Sequence, residues 1–482
     1  MRLVEHPLYK FDESMPIYNW MFPLQSELPV EHPAGSEAHR AFDLVDSSAV
    51  ESRALYLHIP FCETICSFCP FVRGRYRTPD LIERYVAALV REIEVKARYG
   101  SLTSVPIGAI FVGGGTPSLL NPDQIRRLGE AINHHFDLSG LREFSFEFEV
   151  KSVTLEAVRA LKEIGVTHGR FGVQTFDPAY REMFTLTSSV NQVRRAAAIL
   201  GEELPFASFD LLYGMNGQSL EQLLYDLDEA IALGLDNVDI YPIDNVVTQR
   251  RLHRTFATRG MEPTSATAKL EMKILVAEYM RSACFEPHNG HGYVRAKTTR
   301  DGDFDTVSDA YCFHYHDHIY GYANRDLLGF GAGAVSIFDG FSVTNTASRE
   351  RYVHDILDRE DWEMVFSPQD PSSQQSRPVV MRLPYHGSLR KTRVSWRRVH
   401  PETLLNLARA IRSELVVDDG EELRLTRVGW YWYTELMYFL MPRREQAVLD
   451  DFIARKAGEP GRRIEDRRIV VDGSQSFIRV PS

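Results

Sequence analysis

Six short strand-like runs, ALYLHI, AIFVGG, FSFEFEV, GRFGVQTF, FASFDLLYG and NVDIYPI, alternate with helical stretches from Ala54 onward. The helical stretches, among them residues 80–97, 122–135, 155–164 and 220–233, repeat apolar residues every three or four positions. Such alternation indicates an α/β fold with a parallel sheet covered by helices. Six repeats fit a barrel or partial barrel better than an open sheet, and ligands of that architecture meet the carboxyl ends of the strands. The pattern stops after about Gly340. Residues 1–50, with Pro7, Pro16, Pro23, Pro29 and Pro33, read as an irregular N-terminal extension. Residues 51–345 read as the barrel core and 346–378 as a connecting segment. That segment ends in SPQDPSSQQSRP, whose polar, proline-bearing composition predicts a linker. Residues 379–482 read as a small α+β domain covering the substrate side.

Cys62, Cys66 and Cys69 directly follow the first strand, whereas Cys284 and Cys312 stand alone. An odd count with one tight cluster points to a metal site in a reducing compartment rather than to a disulfide scaffold. Three thiolates in one loop can wrap a cubane iron–sulfur cluster and leave one iron open to a small molecule. A zinc site normally takes four ligands, and no further cysteine or clear histidine partner stands at the usual spacing nearby.

A net charge of −11 argues against general nucleic-acid binding, because neutralising phosphates needs a basic surface. The N-terminus lacks a basic start followed by an apolar core, so no secretory signal is expected. No run reaches the roughly 20 apolar residues that span a bilayer; residues 428–441 come nearest and are interrupted by Thr434 and Glu435. The chain is expected to be a cytoplasmic monomer with a small-molecule substrate and no nucleic-acid or membrane partner.

The segment LYLHIPFC, with Cys66 and Cys69 behind it, resembles the signature of radical S-adenosylmethionine (SAM) enzymes related to oxygen-independent coproporphyrinogen III oxidase. The resemblance covers residues 54–345 and implies a radical SAM (partial TIM-type) barrel. It implies a 4Fe–4S cluster on Cys62, Cys66 and Cys69 whose fourth iron chelates SAM. It also implies an electron donor such as flavodoxin or ferredoxin and release of a 5′-deoxyadenosyl radical.

Further positions follow the family pattern. Gly113, Gly114, Gly115 and Thr116 end the second strand, where glycines let backbone approach a ligand closely; the resemblance assigns them to the methionine amino group. The run FSFEFEVK places Glu147 and Glu149 on one face, and the resemblance favours Glu147 as the SAM contact. It places Gln174 near the ribose and implies a SAM contact for Asp210, an acid in an apolar strand that burial without a partner would penalise. Tyr56 and Phe68 match aromatic positions that back the cluster and stack on adenine. No catalytic acid or base is singled out. The Gly-x-Gly-x-Gly of LLGFGAGA lacks the following strand-to-helix pattern of a dinucleotide site. In CFHYHDH, an extended backbone would put His314, His316 and His318 on one face, as a metal or acid–base set or as an exposed polar strand.

Two departures stand out. Coproporphyrinogen oxidases carry a further cysteine two residues after the third ligand, where this chain has Phe71. The arginine expected near Leu186 for the SAM carboxylate is absent, leaving Arg170 or Arg181 as candidates. These departures, with LGFGAGA and RLTRVGWYWYTELMYFLMP, bring the chain closer to the class C radical SAM methyltransferases. Its expected activity is radical C-methylation or methylene transfer, including cyclopropanation, on an sp2 carbon, using two SAM molecules. Trp430, Tyr431, Trp432 and Tyr433 would either cover a conjugated substrate or fill a buried helix. The alternatives are an oxidative decarboxylase of the coproporphyrinogen oxidase type and a haem chaperone of the same family.

Overall fold

The computed structural model describes residues 3–9, 40–69, 72–75, 78–243, 250–298, 304–305, 313–359, 362–456, 467–472 and 477–479. Phe71 and Cys312 lie outside them, as does most of the proline-rich N-terminal stretch.

The first strand, β1 (Ser52–Ile59), is buried at nearly every position. So are β2 (Ile107–Gly114) and β3 (Glu143–Phe148). Parallel strands covered on both faces read as continuous apolar runs for this reason. They are followed by β4 (His168–Gln174), β5 (Phe206–Tyr213) and β6 (Asn237–Pro242). A hairpin of β7 (Phe285–Asn289) and β8 (Gly292–Arg295) comes next, then β9 (Arg325–Phe330), β10 (Val335–Phe338), β11 (Phe341–Asn345) and β12 (Met364–Pro368).

Among the described residues these twelve strands form one sheet in the order β7-β8-β6-β5-β4-β3-β2-β1-β9-β10-β11-β12. From β6 through β1 to β9 the pairing is parallel; both margins are antiparallel. The sheet does not close on itself, which makes it the partial barrel that the alternation predicted. Arg53 ties β1 to β9 from below: it is fully buried, and its guanidinium reaches both oxygens of Asp326, Nε to Oδ1 at 2.8 Å and Nη2 to Oδ2 at 2.5 Å.

Crossover helices α1 (Pro79–Lys96), α2 (Pro122–His135), α3 (Leu155–Glu163), α4 (Val190–Glu203) and α5 (Leu220–Ala232) follow the first five strands in turn. Reciprocal side-chain caps start three of them: Asn121 with Gln124, Ser189 with Gln192 and Ser219 with Gln222. Parallel strands and their return helices leave every strand's carboxyl end on one face of the barrel.

Three expectations are corrected by packing. His314, His316 and His318 lie not on an extended strand but on a short helix, α6 (His314–Ile319). His318 Nε2 lies 3.1 Å from Ser52 Oγ at the amino end of β1, so the helix packs against the lower end of the barrel. Helical spacing puts His314 and His318 on one side and turns His316 to Tyr385, whose hydroxyl lies 2.7 Å from Nδ1.

Residues 367–378 are not an exposed tether, since they contain α7 (Pro371–Arg377), with Ser373, Gln374, Ser376 and Arg377 buried. Arg377 Nη2 donates to the carbonyls of Tyr322 and Arg325 at 2.7 Å each. The apolar core continues without a break from the barrel into Val379, Leu383, Leu389, Leu407 and Leu436.

The N-terminal stretch is not irregular throughout. Leu3–Tyr9 pairs antiparallel with Arg467–Asp472, as an edge strand whose register shifts between His6 and Tyr9, where Pro7 is tolerated. Trp432 is fully buried, and Tyr431 and Tyr433 nearly so. No helix of the described residues is long and apolar enough to cross a membrane.

Candidate active site

A cavity of about 360 Å3 opens at the carboxyl ends of the strands. Its wall contains Cys62, Cys66, Phe68 and Cys69 from the loop after β1, and Gly114, Gly115 and Thr116 from the end of β2. Glu147 and Glu149 reach it from β3 and just beyond, Arg170 and Gln174 from β4, and Asp210 from β5. The structure therefore brings ten of the twelve residues expected from sequence to one space. Tyr56 and Gly113 stand behind the wall.

The cysteine loop is fixed on three sides. The Ser67 hydroxyl donates to the Met183 carbonyl at 2.9 Å and its amide to the Phe184 carbonyl at 3.2 Å. Gly74 N–H closes back on Pro60 O at 2.9 Å. His58 lies 2.9 Å through Nε2 from the Val72 carbonyl, while Nδ1 lies 2.7 Å from the Tyr56 hydroxyl. That partner set assigns the proton to Nε2, and burial keeps the ring neutral by lowering its pKa. Tyr56 thus acts as a support, stacked on Phe111 at 6.2 Å between ring centres.

The glycines are demanded by close approach. A Cβ on Gly115 would stand 2.7 Å from Phe61 O and 2.8 Å from Ile59 O; on Gly114, whose φ is +112°, it would meet the His58 ring at 2.5 Å. Gly115 N–H bonds Ile59 O at 2.8 Å and Gly114 N–H bonds Glu147 Oε2 at 3.0 Å. The glycine turn is clamped between the first strand and the acid of the third.

Burial pushes the Cys62 thiol up, although the Thr116 hydroxyl, Arg73 and Arg349 pull it back. Burial and the neighbouring sulfurs of Cys69 and Cys62, with Glu149, push Cys66 up to about 12. Mutual repulsion of this kind means that the sulfurs converge, and only a positively charged group would make them thiolates together. Among the described residues, no three Cys, His, Asp or Glu side chains meet as the ligands of a single ion do. An iron–sulfur cluster takes each thiolate on a different iron and needs no such meeting, so the donor set fits a cluster.

Sequence reading missed several wall residues. Arg73 and Lys151 bring cations to the rim, and Thr185, Thr187 and Ser188 fill the loop where an arginine was sought. Arg181 is committed elsewhere, to the carbonyls of Val173, Thr175 and Ser188 at 3.1, 2.7 and 2.7 Å. Arg170 does reach the cavity, with Nη1 2.8 Å from Asp239 Oδ2 and its guanidinium 3.5 Å above the Phe313 ring centre. Asp239 was overlooked although it, like Asp210, is an acid in an apolar strand.

Residues 56–230 match the Radical SAM superfamily. The chain is 26% identical over 427 residues to an Escherichia coli anaerobilin synthase, covering 87% of this chain and 90% of that protein. It is 29% identical over 316 residues to the haem chaperone HemW of Bacillus subtilis, covering 64% and 76%. To the oxygen-independent coproporphyrinogen III oxidase of Cereibacter sphaeroides it is 27% identical over 317 residues, covering 63% and 66%. The solved coproporphyrinogen III oxidase HemN of Escherichia coli has the same fold, with a TM-score of 0.69 over 90% of this chain and 99% of that one, at 19% identity.

These relatives are named for haem, coproporphyrinogen and a bilin. They overturn the expected class C methyltransferase activity, and the pair of SAM molecules expected with it is left without support. Residues 56–230 thus carry the Radical SAM superfamily match, which implies a 4Fe–4S cluster and SAM, inside a fold shared with the solved coproporphyrinogen III oxidase.

Proposed function

We propose that this chain is a radical SAM enzyme acting on a tetrapyrrole. The observation that carries the reading is the meeting of three cysteines, a glycine turn, two glutamates, a glutamine and an aspartate in one cavity at the strand ends. The tetrapyrrole class is supported by relatives whose names share that chemistry, one of them matching over most of both chains.

Cys62, Cys66 and Cys69 would hold the cluster, which when bound supplies the electron that splits SAM into methionine and a 5′-deoxyadenosyl radical. The backbone of Gly114 and Gly115, with Thr116, would line the amino end of SAM. Arg73 and Lys151 stand at the rim as cations for its carboxylate, in place of the missing arginine. Gln174 and Asp210 would meet the ribose, and Phe68, packed on Phe184 at 5.1 Å, would flank the adenine.

The test is anaerobic reconstitution followed by incubation with SAM, a reductant and either haem or coproporphyrinogen. Formation of 5′-deoxyadenosine that rises several-fold with one tetrapyrrole, together with a changed tetrapyrrole spectrum, is expected. Haem binding with no tetrapyrrole-dependent 5′-deoxyadenosine would replace the enzyme reading with that of a chaperone.

A further inference from the structure

Four acids and one guanidinium share the barrel interior at and below the cavity. Glu143 and Glu147 come from β3, Arg170 from β4, Asp210 from β5 and Asp239 from β6. Strand register sets Glu147 beside Arg170 and Asp210 beside Asp239. Arg170 is 6% exposed, and its Nη1 is spent on Asp239 at 2.8 Å. Its flat face is covered by Phe313. Asp210 faces the cavity and has no hydrogen-bond or ion-pair partner among the described residues. Among the described residues one cation serves this group of carboxyls, and it is committed to the neighbour of Asp210.

Two carboxylates side by side in a low-dielectric interior do not both stay ionised; one keeps a proton. The arginine decides which one, because a carboxylate that accepts a charged hydrogen bond is the better anion. We propose that Asp210 holds a proton at neutral pH and presents it to the cavity as a hydrogen-bond donor. Asp239 and Arg170 are the positioning pair that keeps the proton there. This rests on the cavity holding SAM, and it reverses the role expected of an aspartate at a sugar: Asp210 gives a proton to a ligand oxygen instead of accepting one.

The surrounding groups agree. Burial, then Asp239 and Glu147, push Asp210 well above the ordinary carboxylate range, and Arg170 alone opposes them. Tyr241 on β6 and Tyr385, which also face the pair, are neutral phenols raised by burial and by these same acids.

Two measurements on the reconstituted holoenzyme test the proposal. In the infrared spectrum at neutral pH, Asp210→Asn should remove one protonated-carboxyl band that the wild type shows. In equilibrium dialysis with SAM, Asp210→Asn, which keeps a donor in place, should bind about tenfold or more tightly than Asp210→Ala, a gap of about 1.4 kcal/mol. Asp239→Asn frees Arg170 to ionise Asp210, so its SAM affinity should fall as pH rises from about 6 to about 8 while the wild type stays level. An unchanged carboxyl band, or Asp210→Asn binding as poorly as Asp210→Ala, overturns the proposal. Failure of the wild type to bind SAM would instead sink the cofactor reading, with the infrared result still deciding where the proton sits.

Discussion

The backbone N–H of Gly114 donates to Glu147 Oε2 at 3.0 Å, which joins the glycine turn and the third strand into one wall of the cavity. Glu147→Ala leaves that amide without its acceptor beside the cysteine loop. An unpaired amide of this kind costs about 1–3 kcal/mol. SAM affinity, read by equilibrium dialysis, should fall by about tenfold or more. Glu147→Gln keeps an oxygen at the same place and should lose clearly less. Equal losses in the two variants would mean that the amide contact does not position the turn.

His58 bridges the Tyr56 hydroxyl and the Val72 carbonyl, and so couples the first strand to the return arm of the cysteine loop. His58→Phe fills the same space but leaves the Val72 carbonyl without its donor, at a cost of about 1 kcal/mol for a half-buried group. The expected outcome is faster loss of iron and sulfide on gel filtration after reconstitution, with the fold intact by circular dichroism. Tyr56→Phe removes only the outer member of the bridge and should hold iron longer. If His58→Phe keeps its cluster as long as the wild type, the bridge has no hold on the loop.

Much of this architecture could be read from the chain because its strands are covered on both sides and its ligand-facing groups sit at strand ends. Glycine, glutamine and aspartate at those ends are conspicuous against apolar neighbours. The misreadings share one cause, which is that composition does not register partners. Residues 367–378 look like a solvated tether, yet the Ser376 hydroxyl donates to Ser372 O at 2.6 Å and accepts from His400 N–H at 2.9 Å, so a polar segment is buried at little penalty. Alternating histidines from 314 to 318 fit a strand or a helix equally well, and only packing against β1 decides. Asp239 escaped notice because its meaning lies in Arg170, sixty-nine positions earlier.

Arg53 and Asp326 form a two-pronged pair inside the core, with Arg53 Nη1 also donating to the carbonyls of Ser101 and Leu102 at 3.0 and 2.6 Å. Asp326→Ala strands a buried guanidinium, which costs about 3–5 kcal/mol. Thermal unfolding should begin several degrees earlier, and limited proteolysis should cut near β9 first. Asp326→Asn, which retains one acceptor, should fall between the two. A melting curve unchanged in Asp326→Ala would show that the pair does not hold β1 to β9.

Glu143 makes stability depend on pH. The side chain is fully buried, accepts from Tyr315 N–H at 3.0 Å and meets the Ser145 hydroxyl. Burial pushes its carboxyl from 4.5 up to about 7, despite the opposing Arg170. In the unfolded chain the same group ionises near its ordinary value, so between about pH 4.5 and 7 the native state holds the proton that the unfolded state has released. Stability is then fully present below that interval and declines through it by about 1.4 kcal/mol per pH unit. Glu143→Gln imitates the protonated acid: its oxygen can face the Tyr315 amide and its nitrogen the Ser145 hydroxyl, with no proton to lose. Relative to the wild type, its melting temperature should therefore rise steadily from about pH 5 to about pH 7 and level off above. Two melting curves that stay parallel across that range would show that Glu143 is ionised in the folded protein and that Arg170 has overcome its burial.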